Sequence, residues 1–211
     1  MSEQRQVGIL LFDAVDVLDF SGPFEVFVIA GRLLREQNPF RVFTVAEHAA
    51  PVLTRGRLSV NPRYTFQDCP PLDVLVVPGG AGVRREEGNF VLLDWLRKRA
   101  GQAEIVLAVS TGVFLLAQAG VVDGLEVTTH RGALDALQRT APGALVRSGV
   151  RLVDSGRIVT SAGISAGIDA ALHVVGRLLG PQVAEQTAQA IEYAWAPLAA
   201  ANGVDAPSAL P

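Results

Sequence analysis

Short apolar runs alternate with helical patterns along most of the chain, and this alternation predicts the architecture. Val7 to Phe12 and Val74 to Val77 are continuous apolar runs, as expected of strands buried on both faces. Further strands are expected over Phe40 to Ala46, Glu104 to Val109, Leu125 to Thr129, Ala144 to Arg147, Val150 to Val153 and Ile158 to Ser161. Helices are predicted over Pro23 to Arg35, Phe90 to Arg99, Thr111 to Ala119, Gly132 to Arg139 and Ser165 to Leu179, with another from Pro181 to about Ala194. Gly22 before the first helix, Pro23 at its first position and Glu25 in its first turn set that boundary. Pro51 to Val60 reads as a hairpin turning at Arg55-Gly56. Strands spaced by helices imply βαβ units. The expected fold is α/β: a mostly parallel central sheet with helices on both faces, a flavodoxin-like three-layer sandwich. One domain is expected over residues 1–211, with the Ala-, Pro- and Gly-rich segment 196–211 as a loosely docked tail.

Composition narrows the chemistry. The net charge is −3, and no basic stripe runs along any predicted element, so no nucleic-acid partner is expected. Arg84 and Arg85 are followed at once by Glu86 and Glu87, and Arg97 to Arg99 read as the wet face of a helix. No apolar run is long enough to cross a bilayer, so no membrane partner is expected either. The N-terminus lacks a signal-peptide layout, and the single cysteine, Cys69, allows no internal disulfide. Both features fit a cytoplasmic protein. Cys69 falls in a loop before a strand, at the amino edge of the sheet, and reads as inert packing. The only lysine, Lys98, sits among charges, which argues against a buried Schiff-base lysine. His48, His130 and His173 are scattered, so neither a metal site nor a cofactor is expected. His173 reads as structural.

Ligands of open parallel sheets bind beyond the carboxyl ends of the strands. The residues just beyond the predicted strands include Asp19, the Gly79-Gly80 turn, Ser110-Thr111-Gly112, His130 and the Gly163-Ile164-Ser165 loop. Ala108 to Gly112 is a degenerate G-x-S-x-G elbow, which would lift Ser110 clear of the sheet. Ser110 is equally readable as a simple helix N-cap. Gly79 and Gly80 offer close backbone N–H groups, or only a tight turn. Asp19, held in an apolar pocket, would have a raised pKa and handle a proton; otherwise it caps the helix. His130 is either a general base or a partner that orients Ser110, or it is a satisfied, half-buried ring. Asp13 and Asp16 read as solvated loop residues.

Leu18 to Phe27, Asp73 to Gly80, Val109 to Gly120, Val127 to His130 and Ser161 to Asp169 together resemble the ThiJ/PfpI superfamily, with its class I glutamine amidotransferase-like fold. The resemblance runs from about Val7 to about Tyr193. Within the superfamily it is strongest to isocyanide hydratases and to the ligand-binding halves of AraC-type regulators. No helix-turn-helix pattern follows before Pro211. The resemblance implies an elbow nucleophile at residue 110, an acid beside it at Asp19, an oxyanion contact from the Thr111 backbone and a histidine at His130. It also implies a glycine loop at Gly163, Ile164 and Ser165, and a homodimer. The elbow residue is normally a reactive cysteine; here it is Ser110. A hydroxyl needs an adjacent base and cannot enter the thiol oxidation ladder, so redox sensing at the elbow is excluded. Two functions are expected: hydration or hydrolysis of a small electrophile, or binding of a small-molecule ligand without turnover. Proteolysis has no support in the sequence.

Overall fold

The computed structural model describes residues 4–34 and 38–197. Its elements in chain order begin with β1 (Arg5–Leu10), α1 (Val17–Leu33), β2 (Phe40–Ala46), β3 (Val52–Leu53), β4 (Ser59–Val60), β5 (Tyr64–Thr65) and β6 (Val74–Val77). There follow α2 (Val83–Glu86), α3 (Phe90–Gln102), β7 (Ile105–Val109), α4 (Gly112–Gln118) and β8 (Glu126–Val127). A single 3-10 turn, Arg131–Ala133, leads into α5 (Leu134–Thr140). The remainder is β9 (Leu145–Val146), β10 (Leu152–Ser155), β11 (Ile158–Ser161), α6 (Ala166–Leu179) and α7 (Pro181–Ala190).

Seven strands form one sheet in the order β10-β11-β7-β6-β1-β2-β5. Every pairing in it is parallel except that of β10 with β11. All four residues of β6 and all five of β7 are buried, as the continuous apolar runs require of strands covered on both faces. Helices α1, α6 and α7 pack on one another, while α4 packs against α2, α3 and α5. Each group also touches the central strands. The sheet is thus sandwiched between two helical layers, as the alternation of patterns predicts.

Several boundaries depart from the sequence reading, and β5 and α2 were not read at all. Helix α1 begins at Val17, six residues before Pro23, and the proline lies inside it. Pro23 has no N–H to offer the Asp19 carbonyl four residues back, so the rule that places proline at a helix start misleads here. The expected end at Arg35 lies outside the described residues. The strand read over Leu125 to Thr129 shrinks to Glu126–Val127 and pairs with β9 in a separate two-stranded sheet. Helix α7 stops at Ala190, where Ile191 and Glu192 form a turn. Of the expected tail, 198–211 lie outside the described residues.

The strand order reverses at β1, since β2 lies on one side of it and β6 on the other. The crevice of such a sheet opens where the carboxyl ends of these neighbours diverge. Here a Val15–Gly80 bridge closes its floor.

Candidate active site

The elbow follows from β7. The strand ends at Val109, and α4 starts three residues later at Gly112. Ser110 makes the turn with φ of 55°, in the left-handed region that a side chain enters only at a cost. Thr111, not Ser110, occupies the cap position of α4, so the reading of Ser110 as a plain N-cap fails. The Ser110 backbone is pinned on both sides. Its N–H donates to the Ser161 carbonyl at 3.1 Å, and its carbonyl accepts from the Thr129 hydroxyl at 2.8 Å. Its side-chain hydroxyl makes no hydrogen bond to any described residue and faces a cleft. Gly112 lets the helix start so close to β6, because a Cβ there would lie 2.1 Å from the Val77 carbonyl oxygen.

Asp19 is fully buried in the first turn of α1. It does not cap that helix; its Oδ2 accepts from the Gly79 N–H across the crevice at 3.0 Å. Its Oδ1 is buried without a partner. Burial pushes its pKa up to about 7, the nearby Asp16 adds to the rise, and the Gly79 bond opposes it. No hydrogen bond joins Asp19 to Ser110, and Asp19 lies behind the cleft wall rather than on it.

The Gly80 N–H donates to Thr111 Oγ1 at 3.0 Å. Both glycine amides are therefore engaged within the protein, and neither is free to meet a ligand oxygen, contrary to the expectation for that turn. Gly79 instead acts by leaving space. A Cβ on it would stand 2.6 Å from Thr111 Oγ1 and 2.9 Å from Asp19 Oδ2. The Thr111 hydroxyl and the Asp19 carboxyl thus both stand against a residue with no side chain, with no hydrogen bond between them.

His130 reaches the cleft although its strand is not part of the main sheet. The Thr128 N–H donates to Thr160 Oγ1 at 2.8 Å, and the Thr129 hydroxyl holds the elbow carbonyl. His130 Nδ1 accepts from the Gly132 N–H at 3.1 Å. A neutral ring in that bond carries its proton on Nε2, so it offers the cleft a donor and no basic nitrogen. It makes no hydrogen bond to Ser110, and the general-base reading loses its geometric basis. Gly163 does not line the cleft but backs the imidazole: a Cβ on it would fall 2.2 Å from His130 Cδ2. Ile164 follows with φ of 50° and projects a half-exposed side chain to the cleft mouth.

The cleft has a volume of about 630 Å³, and Ser110, Thr111, Gly80, His130 and Ile164 share its wall. The rest of its lining was not legible in the sequence. Phe114 of α4, Arg139 at the end of α5 and Arg84 with Glu87 beside α2 also line it. The Ala133, Ala136, Arg139 spacing was the available signal, since it marks one helix face. Asp16 and Arg55 meet at 3.7 Å at the cleft's edge. Asp13 is also more than a solvated loop residue. Its Oδ1 accepts from the Leu53 N–H at 2.9 Å and docks the β3–β4 hairpin that carries Arg55. Arg97 and Arg99 likewise bond to the carbonyls of Ala119 and Cys69 rather than simply facing water. Cys69 is buried away from the cleft, and burial raises its thiol pKa to about 11. His173 pairs with Asp154 at 2.6 Å.

A strained residue above the carboxyl ends of a parallel sheet, facing a cleft sized for a small molecule, defines a flavodoxin-like α/β protein with a strand-end site. The chain belongs to the DJ-1/PfpI family, whose model matches residues 5–177. It is 38% identical over 206 residues to an isonitrile hydratase of Pseudomonas putida, covering 97% of this chain and 86% of that protein. It is also 31% identical over 180 residues to the HTH-type transcriptional regulator CdhR of Pseudomonas aeruginosa, covering 85% of this chain and 52% of the regulator. Among solved structures, a ThiJ/PfpI family protein from Pseudomonas syringae superposes with a TM-score of 0.82 at 28% identity, covering 92% of this chain and 77% of that one. An AraC family transcriptional regulator from Pseudomonas putida gives 0.76 at 22% identity, over 89% of this chain and 99% of that one, a likeness of fold.

Proposed function

We propose that the protein hydrates a small isonitrile-like electrophile in the Ser110 cleft. The observation that carries this reading is Asp19, a fully buried carboxyl with a pKa near 7, one glycine away from a hydroxyl on the cleft wall. Such a group is half protonated at neutral pH and both gives and takes a proton there. The 38% identity to an isonitrile hydratase supports the choice of substrate class.

Ser110 has no hydrogen-bonded base, so it positions water rather than attacking. The neutral Asp19 carboxyl is the source of the proton that reaches the terminal isonitrile carbon, and the Thr111 hydroxyl must turn toward Asp19 Oδ1 to pass it on. The water held by Ser110 adds its oxygen to that same carbon, and its spare proton returns to Asp19. The resulting imidic acid moves its O–H proton to nitrogen, giving the N-formyl amine. As the water oxygen bonds to carbon, an electron pair returns to nitrogen, and His130 Nε2–H and the Thr111 N–H, which has no acceptor among the described residues, donate to it.

The test is incubation of the protein with simple alkyl isonitriles, following formamide by NMR. Asp19→Asn and Ser110→Ala should each lower kcat by roughly 100-fold or more, the usual worth of a positioned acid or donor. Undiminished turnover in both variants would refute these roles, and no turnover by the parent would refute the reading.

A second reading, ligand binding without turnover, is favoured by one observation: the Ser110 hydroxyl lacks a base. In that case Ser110→Cys gains turnover that the parent lacks, while ligands still raise the parent's Tm.

A further inference from the structure

An isonitrile group is far smaller than this cleft, so most of the 630 Å³ is available to the rest of the substrate. The wall formed by α5 and the residue before it has a direction. His130 stands next to the elbow, Ala133 and Ala136 follow on one helix face, and Arg139 with Thr140 closes the line. Along a helix that spacing spans on the order of 10 Å from Ala133 to the far end. Val83, Arg84, Glu87 and Phe114 also line the cleft. The α5 side of the cleft thus runs from the polar elbow past two alanines to the Arg139 guanidinium.

Its charged residues are three guanidinium groups, Arg55, Arg84 and Arg139, against two carboxylates, Asp16 and Glu87. Asp16 meets Arg55. Glu87 feels Arg84, although burial holds its pKa above the ordinary value. The Arg139 side chain has no hydrogen bond or ion pair within the described residues, and Thr140 beside it adds a hydroxyl. The surplus cation at the far end is unmatched from within the protein.

Resting on the hydratase reading, we infer that the substrate carries a carboxylate about one apolar spacer away from its electrophilic carbon, and that Arg139 binds it. Arg139 is then a specificity-determining residue. Phe114, Ala133 and Ala136 hold the spacer, and the spacer length fixes which carbon reaches Ser110. A guanidinium–carboxylate pair is charge-assisted and directional, so it discriminates acid from ester more sharply than an apolar contact discriminates one methylene from two.

The experiment compares ω-isocyanohexanoate with its methyl ester on the full-length protein. The acid should be preferred about tenfold in kcat/KM, as expected for one charge-assisted contact, and the preference should shrink as ionic strength rises. Arg139→Met should collapse the acid-to-ester ratio towards one, and Arg139→Lys should restore part of it. Equal kcat/KM for acid and ester, or a preference that survives in Arg139→Met, overturns the inference. Calorimetric binding of the same pair separates this from the parent reading. An acid preference in binding that depends on Arg139, with no turnover of either compound, upholds the anion site and sinks the hydratase. Equal binding, or binding of neither, overturns the anion site itself.

Discussion

Replacing Asp19 by asparagine should flatten the protein's stability against pH in a defined window. The native carboxyl titrates near 7, against 3.8 for an ordinary aspartate. Between those values the folded chain holds a proton that the unfolded chain has released. Stability therefore falls as pH rises through this window, because the native state is the one binding more protons. Below the window both forms are protonated and the full contribution is present; above about 7 both are ionised and it is gone. A shift of about three pH units corresponds to about 4 kcal/mol.

The asparagine side chain keeps an oxygen for the Gly79 N–H and cannot ionise, so Asp19→Asn removes this dependence while preserving the crevice contact. Denaturant unfolding of parent and variant from about pH 5 to pH 8 should show the parent losing about 3 kcal/mol relative to the variant, and nothing further above that. In thermal melts the gap should widen by roughly 10 °C for a domain of this size. Taking the difference between the two proteins cancels the other titrating groups. Parallel stability curves would mean that Asp19 ionises normally, and the proton-handling role assigned to it would fall with that result.

Relieving the elbow is a second test. Ser110→Gly removes the side chain that makes φ of 55° costly, and denaturant unfolding should show stability unchanged or raised by up to about 1 kcal/mol, while isonitrile turnover is lost. Ser110→Cys should be alkylated by iodoacetamide in the folded protein, with mass spectrometry finding Cys69 unmodified because burial keeps its thiol protonated. Gly79→Ala forces a methyl group to within 3 Å of Thr111 and Asp19 and should cost about 2–3 kcal/mol in denaturant unfolding, with turnover reduced further than stability explains. Gly163→Ala should displace the His130 ring, visible as a shifted imidazole NMR signal and a lower kcat.

The sheet was legible because its central strands are apolar without interruption, and burial on both faces demands that pattern. The elbow was legible because a strand running into Ser-Thr-Gly leaves little room for anything but a sharp turn. Helix α1 was misread at its start because Pro23 is tolerated inside it, where the local rule expects a boundary. The roles of Gly79 and Gly80 were misassigned for a different reason. Sequence reveals that a backbone approaches closely, but not which acceptor takes its N–H, and here Asp19 and Thr111 take both. The arginine wall was missed because Arg84 and Arg139 lie in different helical segments, and only the packing of α2 and α5 around α4 brings them to one cleft.

Two costs fall at one rim of the sheet. Ionising Asp19 at neutral pH takes about 4 kcal/mol from the folded state at most. Holding Ser110 at positive φ takes a further 1–3 kcal/mol, roughly. Against the 5–15 kcal/mol that holds a typical domain together, about this much strain at one rim is a large fraction. The strands beneath the rim carry no such cost, since β6 and β7 are apolar and buried throughout. A sequence optimised only to fold would place glycine at 110 and an uncharged residue at 19. Both costs are borne beside the same cleft, one by its wall and one just behind it, which is where a site that moves protons would concentrate them.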